Sequence, residues 1–170
     1  MKNLARKSLL TVVLGITVLL TGCSSAPKED SGNVSDSLVD DNTQAQALEL
    51  NGSSDDNTAG PLKTIYFDFD SSRLSSAAKA TLEQNAMWLK GAESVDIQIE
   101  GHCDERGGQQ YNLALGERRA KAVKSYLEAL GVATARVSVI SYGKEKPVAY
   151  GHDEEAWAKN RRANFVVTAK

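Results

Sequence analysis

Eight consecutive residues, Glu100-Gly101-His102-Cys103-Asp104-Glu105-Arg106-Gly107, bring together an imidazole, a thiol, three carboxylates and a guanidinium. Imidazole, thiolate and carboxylate are all metal-ligand types. Three successive residues on a strand alternate between its faces, so His102, Cys103 and Asp104 cannot all meet one ion. His102 and Asp104 share a face in that register and would need His152 as a third ligand, which is weak spacing for a metal site. The same alternation separates Cys103 from His102 as a nucleophile and base, and nothing marks an oxyanion hole. Cys103 continues the face of Val95, Ile97 and Ile99, so it reads as a small buried side chain. Gly107-Gly108 is a lone pair outside any phosphate-binding loop, no serine sits in a nucleophile elbow, and no cofactor motif is present.

Asp104, Arg106 and Arg119 carry more information. Asp104 and Arg106 stand in a loop that leaves a strand, and Arg119 lies fifteen positions after Asp104 in the first turns of a helix. By type alone, Arg118-Arg119 reads as a solvated helix face and Asp104 as a turn or cap residue.

The elements that must position these groups follow from periodicity. Residues 62–68 are rich in β-branched and aromatic side chains and read as a strand. Ser71-Ser72 and Ser75-Ser76 supply hydroxyls for a helix N-cap. Leu74, Ala78, Leu82, Ala86 and Leu89 then recur at helical spacing up to Gly91. Val95, Ile97 and Ile99 alternate with Asp96, Gln98 and Glu100, the pattern of a half-buried strand. Leu113, Gly116, Ala120, Val123, Leu127 and Leu130 predict a second helix, ended by Gly131. Residues 136–142 predict a third strand, 153–159 a short polar helix, and 164–168 a last strand. The order βαβαβ(α)β predicts an α/β fold, an α+β sandwich with two main helices on a mixed four-stranded sheet and right-handed crossovers.

The 170 residues carry 20 Lys+Arg and 22 Asp+Glu, a net charge of −2, which excludes a strongly basic nucleic-acid binder. Only one stretch is long and apolar, which excludes a polytopic membrane protein. That average hides three segments. Residues 1–22 hold Lys2, Arg6 and Lys7 and no acid, then the uncharged run from Leu9 to Leu20. Twelve residues are too few to span a bilayer, which takes about 20, and suit the apolar region of a secretory signal. The run ends in Leu20-Thr21-Gly22-Cys23, which resembles a bacterial lipobox and makes Cys23 the expected lipid attachment site. Several acyl chains on one residue anchor durably. Cleavage before Cys23 removes three positive charges and leaves −5. Ser24, in place of an inner-membrane retention Asp, suggests sorting to the outer membrane. Residues 24–60 hold one base and eight acids and no aromatic, so they read as a flexible acidic tether. Its 37 residues would reach about 120–130 Å extended and roughly 35 Å as a coil. All ten aromatics lie from Tyr66 to Phe165, so the core belongs to residues 61–170.

Five segments in order carry a family likeness: Tyr66-Phe-Asp-Phe-Asp-Ser71, residues 100–107, Tyr111-Asn-Leu-Ala-Leu-Gly-Glu-Arg-Arg-Ala120, Ser141-Tyr-Gly-Lys-Glu-Lys-Pro147 and Asn160-Arg-Arg-Ala163. Together with the lipobox they resemble the peptidoglycan-associated lipoprotein family, whose C-terminal domain is shared with outer-membrane protein A. The resemblance implies a non-catalytic domain, without cofactor or metal, that faces the periplasm and grips the meso-diaminopimelate of the peptidoglycan stem peptide. It places the main ligands on Asp104 and Arg119, adds Arg106, and points to Phe69 and Asp70 after the first strand and to Leu115 lining the pocket. It also implies partnership with TolB and other Tol proteins, an outer-membrane lipid anchor, and no nucleic acid. The chemistry is consistent: diaminopimelate ends in an ammonium and a carboxylate on one carbon, which suit a carboxylate and a two-pronged guanidinium. The start of the second helix favours an anion. Cys103 departs from the Thr usual in the family, and Gln109-Gln110 from Pro-Glu.

Two rivals remain open on the residues alone: a peptidoglycan hydrolase, which would have to draw on His102, Asp104 and His152, and a partner-binding lipoprotein that ignores the wall. The anchor itself is testable. Cys23→Ser is expected to leave an uncut precursor without lipid, read by mass spectrometry and membrane partition; normal processing of that variant would refute the lipobox.

Overall fold

The computed structural model describes residues 48–170. The expected signal sequence, Cys23 and the part of the expected tether up to residue 47 lie outside the described residues. Four strands and three helices follow in order: β1 (Ile65–Tyr66), α1 (Ser76–Gly91), β2 (Asp96–His102), α2 (Gln109–Ala129), β3 (Val137–Gly143), α3 (Glu154–Asn160) and β4 (Arg162–Ala169), with a 3-10 turn at Thr134–Arg136. The sheet order is β1-β4-β2-β3. β2 and β3 are parallel, joined through α2, whereas β4 runs antiparallel to both β1 and β2. The expected α+β architecture, two main helices on a mixed four-stranded sheet, is the one observed.

The apolar stripe of each helix meets one face of the sheet. Ala78, Leu82, Ala86 and Leu89 of α1 and Ala120, Val123 and Leu127 of α2 close over Ile97, Ile99, Val137, Ala163, Phe165 and Val167. The Ser75 hydroxyl caps α1 by accepting from the Ala78 N–H at 3.1 Å. Gly131 ends α2 with φ +92°, where a side chain would be strained. Contact between α2 and β2 is closer than side chains allow. A Cβ on Gly101 would lie 1.9 Å from the Gly116 carbonyl oxygen. The two glycines therefore set the height of α2 above the end of β2.

Two expectations change. The first strand is only two residues long, not seven. Its neighbour Lys63 has its main-chain N–H and C=O taken by the Asn85 side chain of α1, at 3.0 and 2.9 Å, so no strand partner is needed there. β1 then covers only Arg162 and Ala163 of β4.

The expectation of a flexible tether over residues 24–60 does not hold for residues 48–60, which pack onto the domain. Asn51 donates to Val167 O at 2.8 Å, Val167 to Gly52 O at 3.0 Å, and Ser54 to Phe165 O at 2.9 Å. The segment thus continues the edge of β4 where β1 stops and satisfies backbone groups that an open edge would expose. Ala59 is buried and Leu48 packs on the core. Polarity misled here because these polar side chains are bonded within the fold. The Ser54 hydroxyl donates to Asn164 Oδ1 at 2.9 Å, and Asp55 Oδ2 accepts from the buried Arg162 Nε at 2.7 Å.

Removing Asp55 strands a buried guanidinium. Asp55→Ala is therefore expected to cost about 3 kcal/mol, seen as a lower urea midpoint at unchanged slope. A chain starting at residue 61 should be destabilised at least as much relative to one starting at 48. Equal midpoints would show that the segment does not dock.

Candidate functional site

A cavity of about 160 Å³ opens where the β1–α1 loop, the β2–α2 loop and the first turns of α2 converge. All six residues picked out from the sequence line it: Phe69, Asp70, Asp104, Arg106, Leu115 and Arg119. Cys103, Gly107, Tyr111 and Asn112 complete the wall. Cys23 lies outside the described residues.

The β1–α1 side is a tight turn in which Ser71 N–H donates to Asp68 O at 3.3 Å. Asp70 sits at φ +52°, a left-handed conformation that Asp tolerates better than most residues. This turns the exposed Phe69 ring to the cavity lip. The Tyr111 hydroxyl of α2 donates to Asp70 Oδ1, which raises the phenol's pKa.

Arg119 is fully buried. Its Nε donates to Ser71 O at 2.8 Å, Nη1 to His102 O at 2.7 Å and Nη2 to Asp68 O at 3.1 Å. Burial pushes its pKa down, against the raising influence of Cys103 and Asp104 nearby. Of the five N–H donors of a guanidinium, three are committed to main-chain carbonyls, leaving one on each Nη. Arg119 is thus a pinned cation at the cavity wall, not the solvated helix face that its type alone suggests.

Asp104 is buried too. Its Oδ1 accepts the Arg106 N–H at 3.1 Å and its Oδ2 accepts Arg106 Nη2 at 2.6 Å. Arg161 Nη1 lies 3.5 Å from the same Oδ2. Burial alone would raise the Asp104 pKa; the hydrogen bonds and charge of Arg106, with a hydrogen bond from Arg161, outweigh this and hold the carboxyl below the usual range. The Arg106 guanidinium lies between the rings of Phe69 and Trp157, 4.0 Å from each centroid.

Cys103 is buried as expected, and burial raises its thiol pKa. It does not simply continue the apolar face: the register of β2 shifts between Gly101 and His102, and the thiol donates to Asn112 O at 3.3 Å at the cavity wall. The histidines part company. His102 is buried 3.5 Å from Glu100 and stacked on Tyr142, and burial pushes its pKa down. His152 is exposed and pairs with Glu105 at 2.7 Å. Among the described residues no three His, Cys, Asp or Glu side chains are placed to share an ion.

Sequence reasoning did not single out Arg161, Trp157, Tyr111 or Asn112. Arg161 stands in the Asn160-Arg-Arg-Ala163 motif and Tyr111-Asn112 open another, so the signal was present. What was not visible is that the residue after α3 reaches Asp104.

The comparisons agree with this architecture. Residues 66–161 match the OmpA family. A peptidoglycan-associated lipoprotein of Pseudomonas aeruginosa is 46% identical over 147 residues, 85% of this chain and 87% of that protein. One from Rhizobium meliloti is 42% identical over 167 residues, 98% of this chain and 91% of that protein. The crystal structure of the peptidoglycan-associated lipoprotein from Burkholderia pseudomallei superposes with a TM-score of 0.60 at 51% identity, covering 61% of this chain and 88% of that one. The C-terminal domain of Helicobacter pylori MotB reaches 0.60 at 23% identity over 64% of this chain and 85% of that one, a likeness of fold.

The charge arrangement has a pH signature. Because the folded Asp104 pKa is depressed, its contribution to stability is fully present above the unfolded value of about 3.9 and is lost as pH falls through the lower folded value. Asp104→Asn should cost about 3 kcal/mol at pH 7. The gap to wild type should hold down to about pH 5 and close below about pH 4. Chemical denaturation at a series of pH values reads this; a gap that does not narrow in acid would contradict the charge pairing.

Proposed function

The chain belongs to the OmpA family and, within it, to the peptidoglycan-associated lipoproteins, and from that premise we propose that it is an outer-membrane lipoprotein that holds peptidoglycan non-covalently through diaminopimelate. The observation that carries the reading is the meeting of Asp104 and Arg119 on one cavity wall. The end of meso-diaminopimelate bears an ammonium and a carboxylate on one carbon. Asp104 answers the ammonium, and the two N–H groups that Arg119 keeps free of main-chain carbonyls answer the carboxylate. Phe69, Asp70, Arg106 and Leu115 line the same cavity. Because Arg119 is fixed by three carbonyls, its donors are oriented before the ligand arrives and little conformational freedom is lost on binding.

In this reading, acylated Cys23 anchors the chain in the outer membrane and the domain faces the periplasm. The residues between the anchor and residue 48 give the reach to the wall. Grip at one end and anchor at the other tie membrane to wall, in partnership with TolB and other Tol proteins. The domain is a binder rather than an enzyme. That assignment rests on its family and on a cavity whose buried carboxylate, Asp104, is held ionised by two guanidiniums, a poor state for a general acid.

Stem peptides with lysine in place of diaminopimelate lack the terminal carboxylate and leave the guanidinium unanswered. Calorimetric titration of the purified chain is expected to show at least about tenfold tighter binding of the diaminopimelate peptide. Equal affinities would refute the assignment of Asp104 and Arg119. Release of soluble fragments from purified wall would support the hydrolase, and failure to pellet with bare wall would support the partner-binding lipoprotein.

A further inference from the structure

In the free chain, Asp104 already has a cation where a ligand's ammonium would sit. Its two guanidinium partners differ. Arg161 has an 8% exposed side chain and is held at two further points, by Phe67 O at 3.1 Å and Glu154 Oε1 at 2.6 Å. It stands at the junction of α3 and β4, so it cannot leave without disturbing both. Arg106 is 31% exposed and lines the cavity itself. Its Nε is buried without a hydrogen-bond partner. Apart from Asp104, the guanidinium is held by the two flanking rings and by Glu154 at 3.9 Å. Ring faces fix a plane but allow sliding within it, and Phe69 is itself an exposed lip residue.

We propose that Arg106 is a built-in stand-in for the ligand's ammonium, and that it makes the cavity selective for zwitterions. The inference rests on the reading that Asp104 takes an ammonium. Asp104 is too buried to lose its close counter-charge without cost, so a neutral ligand cannot displace Arg106. A ligand with an ammonium alone replaces one cation by another and leaves the freed guanidinium with only the distant Glu154, 3.9 Å away, in place of Asp104 at 2.6 Å, so it gains little. A ligand with ammonium and carboxylate on one carbon exchanges both charges at once. Its ammonium takes the Arg106 place on Asp104 Oδ2, its carboxylate meets the two free N–H groups of Arg119, and Arg106 slides between its rings to the side of that carboxylate which Arg119 leaves open. No charge is stranded at any stage. Arg161 stays on Asp104 throughout and keeps it in place.

The test uses a probe that carries only the cation. Arg106→Gln removes the competitor, so a lysine-type stem peptide should bind that variant about tenfold more tightly than wild type, while the diaminopimelate peptide binds it more weakly. Arg106→Lys keeps a competing cation and should leave the lysine-type peptide as weakly bound as in wild type. If Arg106 merely contacted ligand or supported the fold, Arg106→Gln would weaken or leave unchanged both peptides. Circular dichroism and denaturation midpoints establish that the variants are folded. A folded Arg106→Gln chain with no gain for the lysine-type peptide overturns the proposal, and so does an equal gain in Arg106→Lys. The outcome is separable from the functional reading, which fails if wild type shows no preference for diaminopimelate.

Discussion

A buried guanidinium has few tolerable environments, and that of Arg119 organises this domain. An unpartnered charge in the interior is costly enough that the surrounding backbone must supply acceptors. Here three carbonyls do so, from Asp68 and Ser71 in the β1–α1 loop and from His102 at the end of β2. One side chain on α2 thus joins the β1–α1 loop to the end of β2, which are not paired with each other. The arrangement requires α2 to lie very close to β2, and the Gly101–Gly116 contact provides that closeness. Arg119 follows Gly116 by nearly one helical turn, so the contact delivers it beneath the loop.

Around this fixed cation the remaining charges are graded by mobility. Arg161 is buried and multiply bonded, Arg106 is part exposed and held largely by aromatic faces, and Asp104 is shared between them. Such a cluster is stable without ligand because every buried charge has a partner. It can still respond to ligand because one of those partners is exchangeable. Rigidity and exchange are assigned to different arginines, and the folds of chain that carry them explain the division: Arg119 on a long helix against the sheet, Arg161 at an element junction, Arg106 in a loop.

The edge of β4 presents a separate constraint. With β1 only two residues long, most of one side of β4 lacks a strand. Residues 51–54 cover it with main-chain hydrogen bonds, and Asp55 fixes the end by pairing with Arg162. The chain arriving from the N-terminal side is therefore integrated into the sheet beside Arg161, the residue that holds Asp104. Segment and site are neighbours through β4.

Element order and type were legible in the sequence because each follows from local rules. The stripe of Leu82, Ala86 and Leu89, the alternation of Val95, Ile97 and Ile99, the Ser75 cap and the stop at Gly131 all act within a turn or two of the chain. The identity of the six cavity residues came from motif resemblance, and the fold gathers them around one cavity. Three features were decided only by tertiary structure. The length of β1 depends on an Asn85 amide from another element. The docking of residues 48–60 depends on an open edge more than 100 residues away, where polar side chains that look like tether find internal partners. The state of Arg119 and Asp104 depends on Arg106, on Arg161 and on three carbonyls from two segments. Residue type sets which charges exist, but burial and partner geometry set what they do, and both are properties of the assembled fold because they arise between residues distant in the chain.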